Sequence, residues 1–345
     1  MRAPRAFYFA AIVVAAAIAF LGLRPAFTPA IAPPGVASLE PITLSGTPQW
    51  VLIRGRDREN PLVLFLHGGP GMPLLYLAHA FERGLEDDFV VVQWDRRGAG
   101  KSYSPSTDPK LMRMSQELAD AEQLIELLRH RFRQTKVIVL GHSYGSRLGV
   151  VLAHGRPDLV RAYVGVGLDA CGDTEAAAIQ DDWLRREASA AGDRETLAAI
   201  NGGQPWDREV ALFRYGGEVV GMKSYWPLVM KGVLAPEYTL RDALNVSSGV
   251  SFTHKYMASD ILNRSSPLIE DVSNLTVPAY FFTGRNDYTT PFSCAEAYYE
   301  RLDDPSKHLI WFDHSAHFPF LEEPERFRQA LLQVARDTAA PPPGR

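Results

Sequence analysis

Short apolar runs alternate with amphipathic stretches along this chain, and the alternation predicts its architecture. Residues 50–54, 62–66, 89–94, 136–140, 161–166, 278–283 and 307–312 read as strands. Residues 114–132 carry leucines at 118, 124, 127 and 128, a helical stripe, and 295–302 and 324–334 read as further helices. Strand and helix in turn imply an α/β fold with a mostly parallel sheet covered on both faces. Reactive groups then belong at the carboxyl ends of the strands, where the loops converge.

The rhythm breaks between residues 168 and 274. That stretch is helix-like at 181–191 and 194–200, is dotted with Trp183, Trp206, Tyr215, Tyr225 and Trp226, and reads as an inserted helical cap. The expected organisation is a hydrophobic segment over 1–24, a Pro/Ala-rich tether over 25–40, a core formed by 41–167 with 275–338, and the cap over 168–274.

Composition narrows the class. The chain has 345 residues, is 46% hydrophobic and 22% charged, and carries a net charge of -4, which is globular and gives no reason to expect nucleic acid. Arg2 and Arg5 precede an uncharged run over 6–23. That run reaches the lower limit of a bilayer span and predicts export, either as an uncleaved anchor facing the extracytoplasmic side or as a cleaved signal releasing a secreted or periplasmic domain. Cys171 and Cys294 lie far apart in sequence. The favoured expectation is two separate buried side chains, with a disulfide as the alternative. Asn-x-Ser/Thr sequons stand at Asn245, Asn263 and Asn274.

The chemistry gathers at strand ends. Gly141-His142-Ser143-Tyr144-Gly145 follows one strand and opens a small-residue helix, the strand–turn–helix context in which a serine hydroxyl is lifted clear of the backbone. A serine nucleophile needs a base, and the base needs an orienting carboxylate. Asp287 follows the strand at 278–283, and His317 follows the strand at 307–312. The order serine, acid, histidine is that of the α/β-hydrolase arrangement. Asp169 is the alternative acid and His314 the alternative base. The pair His314 and His317 has no further ligand at metal-binding spacing.

An acyl-transfer oxyanion needs two N–H donors. Tyr144 supplies one, and the loop His67-Gly68-Gly69-Pro70-Gly71 after an early strand is placed to supply the other. Arg96 or Arg97 is expected to brace that loop by donating to its carbonyls. Gly98-Ala-Gly100-Lys101-Ser102 lacks the spacer of a phosphate loop.

Together these residues resemble the α/β-hydrolase superfamily from about Trp50 to Val334. His67-Gly-Gly-Pro-Gly71 beside Asp95-Arg-Arg-Gly-Ala-Gly100 resembles its proline iminopeptidase group. The resemblance implies Ser143 as nucleophile, Asp287 as acid, His317 as base, Gly69 and Tyr144 as oxyanion donors, and His67, Gly68 and Arg96 as structural support. It implies no metal and no organic cofactor. The group usually has tryptophan where Tyr144 stands, and holds the substrate's amino group with cap carboxylates beside a Trp-Glu pair that is missing here. Asp181, Asp182, Glu187, Glu209 and Glu218 are the candidates for that work.

The function expected is a serine hydrolase that releases N-terminal residues from short peptides. The rivals are an esterase or amide hydrolase on small apolar substrates and a membrane-tethered binding protein without catalysis. The partners expected are a small-molecule or short-peptide substrate and, through an uncleaved N-terminal segment, a membrane. Oligomeric state is left open.

Overall fold

The computed structural model describes residues 24–203, 205–262 and 266–339, and within 205–262 not the side chains of 205, 206 and 258–262. The hydrophobic segment expected over 1–24 falls, but for Arg24, outside the described residues, as do Asn263 and the Trp206 side chain. No helix among the described residues is long and apolar enough to cross a membrane.

The strands are β1 (Val36–Leu44), β2 (Thr47–Gly55), β3 (Leu62–Leu66), β4 (Val90–Trp94), β5 (Val137–His142), β6 (Val160–Val166), β7 (Ala279–Gly284) and β8 (Lys307–Phe312). They form one sheet in the order β1-β2-β4-β3-β5-β6-β7-β8. The β1/β2 and β2/β4 pairs are antiparallel, and from β4 through β8 neighbours run parallel. β3 and β4 are buried on both faces, as strands covered on both sides by helices must be.

The helices of two turns or more are α1 (Met114–Phe132), α2 (Tyr144–Gly155), α3 (Asp173–Ala191), α4 (Arg194–Gly202), α5 (Pro205–Tyr215), α6 (Trp226–Val233), α7 (Leu240–Leu262), α8 (Phe292–Arg301) and α9 (Pro324–Asp337). Helices α3 to α7 all lie between β6 and β7 in sequence. Two apolar clusters, one on each side of the sheet, hold the body together: Leu64, Val92 and Val139 belong to one, Phe65, Val91 and Leu140 to the other. Successive residues of a strand point to opposite faces, so these neighbours in sequence separate into the two clusters.

Three departures from the pattern reading have physical causes. Residues 36–40, expected in the tether, begin β1; Ser45 and Gly46, both at positive φ, turn the chain into β2 as a two-residue hairpin loop. The preceding stretch is not a free tether either, since Arg24 donates to the Tyr238 carbonyl at 2.9 Å and the Phe27 N–H to Pro236 at 3.0 Å. In α1 the inward face is Glu117, Asp120, Ala121, Leu124, Ile125, Leu128 and Phe132, while Leu127 is 46% exposed. Two acids turn inward there because Arg96 and Arg97 wait for them: Arg97 meets Asp120 at 2.9 Å and Arg96 meets Glu117 at 3.1 Å.

Cys171 and Cys294 are joined in a disulfide, which replaces the expectation of two separate side chains. It ties the start of the helical insertion to α8, just beyond the loop that carries Asp287.

Candidate active site

Ser143 sits between β5 and α2 at φ 56°, ψ −129°, a backbone conformation that few side chains adopt. The turn is held by the Ser143 N–H donating to the Val166 carbonyl at 3.0 Å. Gly145 is required by crowding: a Cβ there would stand 2.6 Å from the Leu66 carbonyl carbon. Gly68 is required for the same reason, because its Cβ would stand 2.8 Å from that of Ser143. The glycine loop after β3 therefore lies against the serine, as the sequence reading expects.

His317 and Asp287 come together at 2.9 Å, Nδ1 to Oδ2, with both side chains buried. Asp287 also accepts from the Thr290 N–H and Oγ1, each at 3.0 Å, so its carboxylate is fixed in direction. Burial by itself disfavours an imidazolium, but the Asp287 carboxylate, with Glu218 and Glu322 beyond it, outweighs burial and raises His317 to about 9. Asp169 and His314 are not part of this pair. His314 is exposed on the surface, its N–H on Glu323 at 3.0 Å, and the Asp169 N–H rests on Ser146 Oγ at 3.1 Å.

The loop that carries His317 is sutured to the helical insertion. Its N–H donates to the Glu218 carbonyl at 2.9 Å. Glu322 accepts from Ala316 at 3.1 Å and Phe318 at 3.0 Å on one side, and from Val220 at 2.8 Å on the other. Nearby, Trp183 stacks on Tyr288 with ring centres 4.1 Å apart.

Arg96, not Arg97, braces the glycine loop. It donates to the His67 carbonyl at 2.7 Å and the Gly68 carbonyl at 3.4 Å. The Arg96 N–H donates to His67 Nε2 at 3.2 Å, leaving His67 Nδ1 to donate to the Gly68 carbonyl at 3.0 Å. Burial, with Arg96 beside it, holds the His67 imidazole neutral, well below the ordinary histidine value. Glu117 completes the network. One carboxylate oxygen takes Arg96 and the other takes the Tyr144 hydroxyl at 3.1 Å, so a single acid links both flanks of the serine. Glu117 was missed by the pattern reading; Thr290 and His142, which donates through Nε2 to the His317 carbonyl at 2.9 Å, were missed as well.

A cavity of about 530 Å³ opens over Ser143 and His317, with Gly68 and Gly69 on its rim and α6 and α7 forming much of its wall. Of the five cap acids, Glu209 and Glu218 reach it. Asp181 is engaged with Arg208 at 2.8 Å, and Asp182 is exposed beside Arg185 at 3.3 Å. Glu218 is buried, and burial pushes its carboxyl up to about 7 against the opposing pull of His317 and Thr289.

A parallel sheet whose strand ends carry this serine, histidine–aspartate pair and glycine loop defines an α/β hydrolase. The chain belongs to the α/β-hydrolase fold family, whose model matches residues 61–324. It is 30% identical over 310 residues to the "probable aminopeptidase YbaC" of Bacillus subtilis, covering 87% of this chain and 97% of that one. It is 28% identical over 272 residues to the proline iminopeptidase of Heyndrickxia coagulans, covering 77% of this chain and 87% of that one. Among solved structures, the proline iminopeptidase of Mycobacterium smegmatis superposes with a TM-score of 0.61 at 21% identity, covering 87% of this chain and 98% of that one. The protein is a hydrolase that resembles proline iminopeptidases.

Proposed function

We propose that the protein is a serine aminopeptidase that removes N-terminal residues from short peptides through an acyl-enzyme. Ser143 attacks the scissile carbonyl and His317 takes its proton. Asp287 holds the imidazole and stabilises the imidazolium, and the N–H groups of Tyr144 and Gly69 receive the oxyanion. Water then repeats the steps with His317 as its base.

The observation that carries the aminopeptidase reading is Glu218. It is a buried carboxylate on the wall of the cavity above Ser143 and His317, with Glu209 on the same wall. Burial raises this carboxyl to about 7, so its charged form gains from a further cation in the cavity. A substrate's terminal ammonium supplies one, and the charge-assisted hydrogen bond places the first carbonyl over the serine.

The test compares proline-naphthylamide, its N-acetyl derivative and a short acyl ester. The reading expects turnover of the free amine and strong discrimination against the acetylated amide. Robust ester cleavage with no aminoacyl-amide cleavage makes the protein an esterase instead. Failure of Ser143 to take a fluorophosphonate label would support the non-catalytic rival.

We also infer that the domain is exported and faces an extracytoplasmic compartment. The support is the pair Arg2 and Arg5 before the uncharged run 6–23, together with the Cys171–Cys294 disulfide, a bond that persists in oxidising surroundings. A reporter active only outside the cytoplasm, fused after Arg345, tests it; an inactive fusion refutes it.

A further inference from the structure

Helix α6 is apolar on both sides. Leu228 and Gly232 turn inward, and Leu228, Val229 and Val233 border the substrate cavity. The outer side carries Trp226 at 66% exposure and Met230 at 37%, with Leu234 at 60% just beyond the helix and Leu244 at 67% on α7, the next helix. A helix in contact with water should show polar residues on its outer face. Contiguous exposed apolar surface of this kind marks an interaction site.

The fully exposed charges next to the patch in sequence are basic. Over residues 219–244 the charged side chains are Lys223, Lys231 and Arg241, all exposed, Glu237, which is buried, and Asp242, which is half-buried and neutralised by Lys101 at 2.6 Å. Bulky apolar residues in a basic rim are the composition of a surface that lies in a lipid headgroup layer.

The position of Arg24 points the same way. The Arg24 guanidinium donates to the carbonyls of Ala235 and Tyr238, immediately beyond α6, and Phe27, bonded to Pro236, is itself 50% exposed. Arg24, the residue that follows the uncharged run 6–23 in sequence, is therefore held beside Leu234, at the edge of the patch.

We propose that the outer face of α6, with Leu234 and Leu244, rests at the headgroup–acyl boundary of a bilayer containing anionic phospholipid, the bilayer that also takes residues 6–23. The inner face of the same helix lines the substrate cavity, so α6 alone separates lipid from substrate there. The inference shares the export reading's N-terminal segment but not the catalytic assignment.

The test uses the full chain reconstituted into phosphatidylcholine/phosphatidylglycerol vesicles. Both native cysteines are paired, so a single introduced cysteine is the one free thiol. Met230→Cys carries an environment-sensitive fluorophore, Trp226→Cys provides a second position, and Leu127→Cys on α1 is the control. Circular dichroism verifies that each variant is folded. The expected result is a blue shift at 230 and 226 with at least twofold quenching by brominated acyl chains, and neither change at 127. Aqueous emission at 230 and 226 in the reconstituted protein would overturn the proposal. So would equal quenching at all three positions, or a blue shift without bromine quenching, the signature of cover by residues 6–23 or by a second copy of the chain.

Discussion

Glu218→Gln tests the site most sharply, because it removes a charge and almost no volume. In the wild type the carboxylate borders the cavity, accepts from Thr289 Oγ1, and acts electrostatically on His317. If it receives the substrate's ammonium, its loss removes a hydrogen bond to a charged group, worth roughly 1.5–3 kcal/mol net. That corresponds to a fall of about 10- to 100-fold in kcat/KM for a free-amine substrate. The same charge raises His317, so removing it lowers the pKa of that base. Neutral imidazole then persists to lower pH, and the acidic limb of kcat moves down even as KM for the amine rises. In the wild type the opposite order holds. Glu218 gains its charge as pH rises through about 7, so binding of the ammonium strengthens on that limb. The assay is the pH dependence of kcat and kcat/KM for proline-naphthylamide and for a short acyl ester, wild type against variant. Equal losses on amine and ester, or an acidic limb that stays in place, would refute the assignment.

The remaining expectations concern the machinery and its support. Asp287→Asn should leave the fold intact and lower kcat by about 10⁴-fold, because the amide cannot stabilise the imidazolium; circular dichroism and burst kinetics check both halves. Wild-type activity should keep rising with pH above the ordinary histidine value near 6.5, since Asp287 raises His317 to about 9; a plateau already complete at pH 6 contradicts this. Glu117→Ala strands a buried guanidinium and should cost about 3–5 kcal/mol in denaturant unfolding. The double change Cys171→Ser with Cys294→Ser releases a loop closed across 123 residues and should lower stability by up to about 5 kcal/mol, read in the same assay without reductant.

The sequence exposed the reactive groups more fully than the scaffold beneath them, and the reason is geometric. In a parallel sheet the strand ends share one rim, so Ser143 after β5, Asp287 after β7 and His317 after β8 are neighbours once the strands are found. Each strand is a short apolar run that announces itself. β1 did not, because an edge strand needs only one apolar face and tolerates an exposed Pro41 and a half-buried Glu40; its signal was the Ser45-Gly46 turn, which a search for apolar runs passes over. The two acids on the inner face of α1 were hidden by the opposite error. A leucine stripe places the helix but assigns Leu127 inward, and an acid is read as solvated until its partner is located. Asp95-Arg96-Arg97 held those partners 20 or more residues away in sequence, and only the close approach of the β4 loop to α1 makes them pairs.

The disulfide sets the limit of such reading. Nothing local distinguishes Cys171 from any small residue at the start of the cap, or Cys294 from one inside α8. Their meeting depends on β6 and β7 being adjacent, with the whole cap looped out between them. That adjacency also explains what the bond secures. The Asp287 loop is packed from one side by the Trp183–Tyr288 stack and by the Gly217 carbonyl, which accepts the Tyr288 N–H at 3.0 Å. The disulfide fixes α8, at the loop's other end, to the first residues of the cap. α7 is anchored as well, Asp242 meeting Lys101 at 2.6 Å and Thr253 Oγ1 donating to the Gly98 carbonyl at 3.4 Å, so the cap is tied to the body well beyond the Asp287 loop.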